Sequence, residues 1–130
     1  VIGYRCDDLP AFYSRSSGLA VPLRRDGATE IAGLMRTKWE LGLGGGLVIA
    51  NPIPAGAEIP AREIEHHIET ALGEAAERGI QGKAVTPFLL ARLEALTGGA
   101  SLAANVALVL SNARLAAEIA VAYLAVTLER

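Results

Sequence analysis

The chain has 130 residues, 52% of them hydrophobic, with 12 basic and 14 acidic side chains and a formal net charge of −2. That length fits one ordinary domain of roughly 100–150 residues. The charge balance excludes a nucleic-acid footprint, since Arg24-Arg25 is the basic pair and no aromatic side chains interleave with it.

Val1 to Tyr4 is an apolar run predicted to be a short buried strand, and with no positive n-region it is not a signal peptide. A chain that opens directly on such a run, with valine rather than methionine first, is expected to be cut out of something longer. A long polar loop follows, Arg5 to Gly18, carrying three serines, two arginines and two aspartates. Connections are usually about four to six residues, and long ordered loops are where binding and catalysis concentrate. Leu19 to Leu23 reads as a second short extended segment, with Pro22 placing it at an edge or strand end.

Asp26 or Thr29 is expected to cap a helix running to about Leu41, whose apolar positions Ile31, Leu34, Met35 and Trp39 approximate helical spacing. Gly42 to Gly46 stops it. Leu47 to Ala50 is a continuous apolar run, the pattern of a strand buried on both faces in a parallel sheet. Asn51-Pro52-Ile53-Pro54 makes a stiff turn. A second helix is predicted from Pro60 to Arg78, ended by Gly79. Thr86 is expected to cap a third, with Pro87 at its first position and Thr97-Gly98-Gly99 at its end, and Ser101 to cap a long final helix to about Leu128.

No apolar run reaches the roughly 18 residues of a bilayer span. Asn105, Asn112, Arg114 and Glu118 interrupt the most apolar stretch, so it is expected to be a buried helix. The order strand, helix, strand, helix, helix, helix signals an α/β architecture. Two or three strands are too few for four helices, so the rest of the sheet is expected outside this chain. The mean hydropathy of +0.35 agrees, implying apolar surface that something else covers.

Among the motifs, Gly42 to Gly46 invites a phosphate-loop reading. Its order is helix, glycines, strand, whereas phosphate loops follow a strand and open a helix, so it reads as a helix stop. His66-His67 lacks the i,i+4 spacing of paired metal ligands and reads as part of a solvated face. The lone Cys6 excludes an internal disulfide and suits a reducing, cytoplasmic setting. With no histidine nearby, it reads as a structural thiol before a nucleophile. Asp7, Asp8, Ser14, Arg15, Ser16 and Ser17 suit phosphate, sugar or metal, and equally suit a loop that caps its own turns. Asn105 and Asn112 lie seven residues apart on one face of the last helix, where a carboxamide can tie down backbone or read the polar edge of a pyrimidine.

These segments resemble the pseudouridine-5′-phosphate glycosidase family, also called indigoidine synthase A-like. The matching stretches are Gly3-Tyr4, Asp7 and Pro10 to Gly18, Lys38 to Leu43, and Ala50-Asn51-Pro52-Ile53-Pro54. They continue with Val85 to Leu90, Thr97-Gly98-Gly99 with Ser101-Leu102 and Asn105, and Asn112 to Ala116. The sequence departs from the family pattern at Arg5-Cys6, where a small residue and threonine are usual, at Leu9 and at Ser111. Arg5 bears on loop geometry, since glycine adopts backbone angles that arginine does not adopt cheaply.

The resemblance implies that residues 1–130 are a single α/β segment, the carboxy-terminal part of a larger single-domain enzyme. Its fold would be part of an α/β/α layered structure with a mostly parallel sheet, ending in a long carboxy-terminal helix. It implies reversible cleavage of pseudouridine 5′-phosphate to uracil and ribose 5-phosphate, with manganese (Mn2+), in a cytoplasmic homotrimer that needs neither nucleic acid nor membrane. The family's imine-forming lysine, acid glutamate and metal-binding aspartate match no position here, so no catalytic or metal role is transferred, to Lys38 and Lys83 included. Asn105 resembles the asparagine that contacts the base, and Phe12, Tyr13, Ser14 and Arg15 are expected to border the site. The alternative is a non-catalytic α/β module that oligomerises or binds a nucleotide-like ligand.

Overall fold

The computed structural model describes residues 1–128. Its sheet has three short strands, β1 (Ile2–Tyr4), β2 (Arg24–Arg25) and β3 (Ile49–Ala50), in the order β2-β1-β3 with both pairings parallel. Gly3 sits opposite Arg24 on one side and Ala50 on the other. The helices are α1 (Ala28–Glu40), α2 (Ala61–Glu77), α3 (Val85–Leu96) and α4 (Ala100–Leu128). Short 3-10 turns at Ala55–Ala57 and Gly82–Ala84 precede α2 and α3. The α/β class and the long final helix are as the sequence predicts.

Two apolar clusters share α4. Ile2, Ile31, Leu115 and Ile119 join β1 to α1 and the second half of α4, with Leu23, Leu34 and Ile49 packed around them. Tyr13, Ile53, Ile59, Ile64, Leu93, Ala104 and Leu108 join the polar loop to α2, α3 and the first half of α4. Burying a side chain such as Ile31 or Ile53, each 0% exposed, contributes about 1.5–3 kcal/mol. Between α2 and α3, Arg92 donates twice to Glu74, each bond 2.7 Å. Those bonds hold the Glu74 carboxyl below its usual range.

Several expectations need correction. The second strand forms at Arg24–Arg25 rather than Leu19 to Leu23, because Ala20 is drawn into an antiparallel bridge with Asp8. Neither Asp26 nor Thr29 caps α1: Gly27 holds the cap position, and the Glu30 carboxylate accepts from the Asp26 and Gly27 N–H groups. Thr86 lies inside the first turn of α3 because the 3-10 turn already starts the coil. Ser101 lies inside α4, almost wholly buried, and its N–H donates to the Thr97 hydroxyl at 3.0 Å. Leu47 to Ala50 is not buried on both faces: β3 is an edge strand, and Val48 is exposed.

The largest correction concerns α4, which is not a buried helix. Its buried positions are Ser101, Ala104, Leu108, Leu115 and Ile119, a stripe of three- and four-residue steps. Leu102, Val106, Val109, Leu110, Val121 and Leu124 are exposed. By length and composition α4 is also long and apolar enough to cross a membrane, its few polar residues notwithstanding.

Candidate functional site

The polar loop leaves the carboxyl end of β1 through Arg5, whose φ of +54° lies in the left-handed region. The residue costs roughly 1–2 kcal/mol there. In part it is held by Arg5 Nε donating to the Asp26 carbonyl at 2.9 Å and by the guanidinium resting 4.9 Å from the Tyr4 ring. The loop then doubles back on itself, with the Leu9 N–H donating to the Leu19 carbonyl and the Val21 N–H to the Asp7 carbonyl, both 2.8 Å. At its tip the Tyr13 N–H donates to the Ala11 carbonyl across Phe12, whose φ is +66°. An i→i+2 turn with a positive central φ is the rare, strained form, and strain of that kind collects at binding sites. Tyr13 is buried and meets the Phe12 ring edge-on at 4.7 Å.

Most of the loop's charge is already spent on protein partners, inside the loop and on the elements beside it. Asp7 pairs with Arg24 at 2.7 Å, and Arg24 also pairs with Asp26 at 2.8 Å. Ser16 donates to Asp8 at 2.5 Å, while the Ser16 and Ser17 hydroxyls accept from the Gly18 and Leu19 N–H groups. The Arg15 guanidinium donates to the Ile53 carbonyl, and its N–H donates to Glu58 at 2.8 Å. The Ser16 and Ser17 bonds give the self-capping reading of the loop its support. Cys6 Sγ reaches the Ala50 carbonyl at 3.6 Å, and burial raises its thiol above the usual value, as suits a structural thiol tying the loop to β3.

Two cavities lie where the loop meets α4. The first, about 570 Å³, opens at the carboxyl end of β3, where open parallel sheets take their ligands. Leu9, Pro10 and Phe12 form one wall, Leu108, Leu115, Ala116 and Ile119 the other, and Asn51 and Asn112 supply polar groups. Asn51 Nδ2 donates to Asn112 Oδ1 at 2.9 Å and to Ser111 Oγ at 3.1 Å, so both its hydrogens are used. The second, about 240 Å³, is lined by Tyr13, Glu94, Ser101, Leu102 and Asn105. Burial raises the Tyr13 phenol above its usual value, the Ser101 hydroxyl acting in the opposite sense, so Tyr13 is a neutral hydrogen-bonding group near pH 7.

The structure therefore brings Tyr13 and Asn105 together, puts Phe12 on the neighbouring cavity, and leaves Ser14 buried and Arg15 facing Ile53 and Glu58. Asn105 and Asn112 share a flank of α4 but line different cavities. Asn51 was missed as a site residue, although an asparagine directly after an apolar parallel strand is a usable signal. Among the described residues no three His, Cys, Asp or Glu side chains could hold a metal together, so these residues make no manganese cage and no step is routed through one.

The family model for "Indigoidine synthase A like protein" matches residues 1–122. A pseudouridine-5′-phosphate glycosidase of Methylobacterium nodulans is 62% identical over 122 residues, which cover 94% of this chain and 36% of that protein. One of Nocardioides is 57% identical over 95% of this chain and 40% of its own length. Among solved structures, the prealnumycin C-glycosynthase in complex with ribulose 5-phosphate superposes with a TM-score of 0.87 at 33% identity, covering 99% of this chain and 42% of that one. An indigoidine synthase A-like protein of Thermotoga maritima gives 0.81 at 40% identity, covering 92% and 39%. The chain thus spans about two fifths of the length of the relatives it matches. It belongs to the indigoidine synthase A-like family.

Proposed function

We propose that this chain serves as the carboxy-terminal part of a pseudouridine-5′-phosphate glycosidase. The observation that carries the reading is its 53–62% identity to bacterial proteins of that name. In the reaction the C–C bond between base and sugar breaks, the base carbon takes a proton, and water supplies the anomeric oxygen of ribose 5-phosphate. The lysine, glutamate and metal-bound aspartate of the family, its manganese and its homotrimer belong to this proposal through sequence outside the chain.

What the chain itself contributes is recognition. The Asn105 carboxamide has donors and an acceptor to offer the alternating edge of uracil, and the neutral Tyr13 phenol lies beside it. Phe12 closes the neighbouring apolar wall. Lys38 is not available as the imine-forming amine: its Nζ donates to the carbonyls of Leu43, Gly44 and Gly45 at 2.6–2.8 Å.

The test is release of uracil from pseudouridine 5′-phosphate by this chain fused to the amino-terminal portion of the Methylobacterium nodulans relative. Asn105→Leu should lower kcat/KM about 10–100-fold, the loss expected when a buried edge loses its partner. Unchanged turnover in the variant would remove Asn105 from the site, and no turnover by the parent fusion would remove the function.

A further inference from the structure

We propose that the flank of α4 opposite Asn105 carries a binding site for a phosphate monoester, built on Arg114. This site goes beyond the glycosidase reading and does not depend on it. Arg114 lies about two and a half turns past Asn105, so it projects from the other side of the helix. There it lines a separate cavity of about 360 Å³ with Tyr4, Asn51, Ser111 and Glu118. The place is the carboxyl ends of β1 and β3, where open parallel sheets accept ligands.

The case rests on which groups are already spent. Arg5, Arg15, Arg24, Arg25, Arg36, Arg78 and Arg92 all hold a carbonyl or a carboxylate. Among the described residues Arg62 and Arg114 have no hydrogen bond or ion pair; Arg62 stands exposed on α2, whereas Arg114 lines this cavity, and a guanidinium is the side chain best shaped to grip an oxyanion through two parallel N–H bonds. Ser111 Oγ accepts from Asn51, which leaves its own O–H free to donate. The Tyr4 phenol adds a donor, and the Arg5 guanidinium stacked on the Tyr4 ring adds positive charge close by.

Glu118 is the one carboxylate on the cavity wall, and it sets the selectivity. It repels an oxyanion that only accepts hydrogen bonds, such as sulfate or a carboxylate. A phosphate monoester has its second pKa near 6, so near neutral pH a fraction still carries a proton. That P–O–H can donate to Glu118 while the other oxygens accept from Arg114, Ser111 and Tyr4. Arginine supplies the attraction; glutamate supplies the discrimination.

Calorimetric titration of the whole chain tests this without any turnover, so its failure and that of the glycosidase reading are separate results. The probes are inorganic phosphate, ribose 5-phosphate, sulfate and acetate. Phosphate and ribose 5-phosphate should bind saturably, sulfate at least tenfold more weakly, and acetate not at all. Arg114→Gln should weaken phosphate at least tenfold, and Glu118→Gln should bring sulfate to within threefold of phosphate. Both side chains are exposed, so neither variant should change the helical circular dichroism; Ser111→Ala is a second, charge-neutral variant expected to weaken phosphate severalfold. Absence of saturable phosphate binding, acetate binding as tight as phosphate, or phosphate binding unmoved by Arg114→Gln overturns the proposal.

Discussion

Two loops frame the sheet, and they solve their geometry in opposite ways. The loop of residues 42–46 enters β3 at its amino end and places its positive φ angles on Gly42 and Gly45, where they cost little. The loop of residues 5–23 leaves β1 at its carboxyl end and, besides Gly18, places two of them on Arg5 and Phe12, where an L side chain is strained. The first turns a chain around and is tied off by its own Lys38. The second holds an aromatic ring on the wall of the larger cavity. Strain on non-glycine residues thus separates the loop that shapes a site from the loop that only connects.

The strongest way to break this contrast is at Gly3, where β1 hands over to the strained loop. A Cβ on Gly3 would lie 2.4 Å from the Cys6 carbonyl oxygen and 2.8 Å from Val21 Cγ2. Backbone cannot step aside cheaply, so Gly3→Ala should destabilise the fold by about 3 kcal/mol, the upper end for overpacking. Chemical denaturation with an unchanged m-value would confirm it, and a loss below about 1 kcal/mol would show that the loop has slack.

Lys38→Met sharpens the contrast from the other side. It removes three charge-assisted bonds to backbone carbonyls but keeps the stem that packs along the helix. Because the group is only half-buried, the expected cost is about 1–2 kcal/mol. Hydrogen exchange should speed up at residues 42–47 and stay unchanged at residues 7–21. Equal acceleration in both loops would mean they are one cooperative unit.

The sequence made part of this arrangement legible for a clear reason. The strand beginning at Ile2, the helices ending at Gly42 and Gly79, and the helix-stop role of the glycine run all rest on local chemistry, and local chemistry sits within a few residues. The failures have two sources: neighbouring turns that start a helix before its capping side chain, and partners farther along the chain. Thr86 and Ser101 have good capping side chains, yet the helices begin earlier because the 3-10 turn at Gly82 and the Thr97 hydroxyl supply the start from outside. Leu19 to Leu23 has strand composition, yet its Ala20 and Val21 go to Asp8 and Asp7. Apolar content said that α4 would be buried, whereas burial follows the stripe through Leu108, Leu115 and Ile119. The candidate site was half visible: the polar loop and Asn105 were readable from residue chemistry and again from the resemblance, while the bond from Asn51 to Asn112 depends on a 61-residue separation.

The smallest stability effect carries the sharpest test of the contrast. Phe12→Gly relieves the left-handed strain, a gain of about 1–2 kcal/mol. It also removes the edge-on contact with Tyr13, worth about 0.5–1.5 kcal/mol, and adds freedom to the unfolded chain worth up to about 1 kcal/mol. These nearly cancel, so denaturation midpoints should move by less than about 1 kcal/mol in either direction. Binding should not cancel in the same way, because the ring is a wall of the 570 Å³ cavity and glycine leaves it open. In the fusion with the Methylobacterium nodulans segment, KM should rise severalfold while the melting midpoint stays still. If stability rises by the full strain energy and KM does not change, Phe12 is strained for no purpose of binding, and the two loops differ in cost alone.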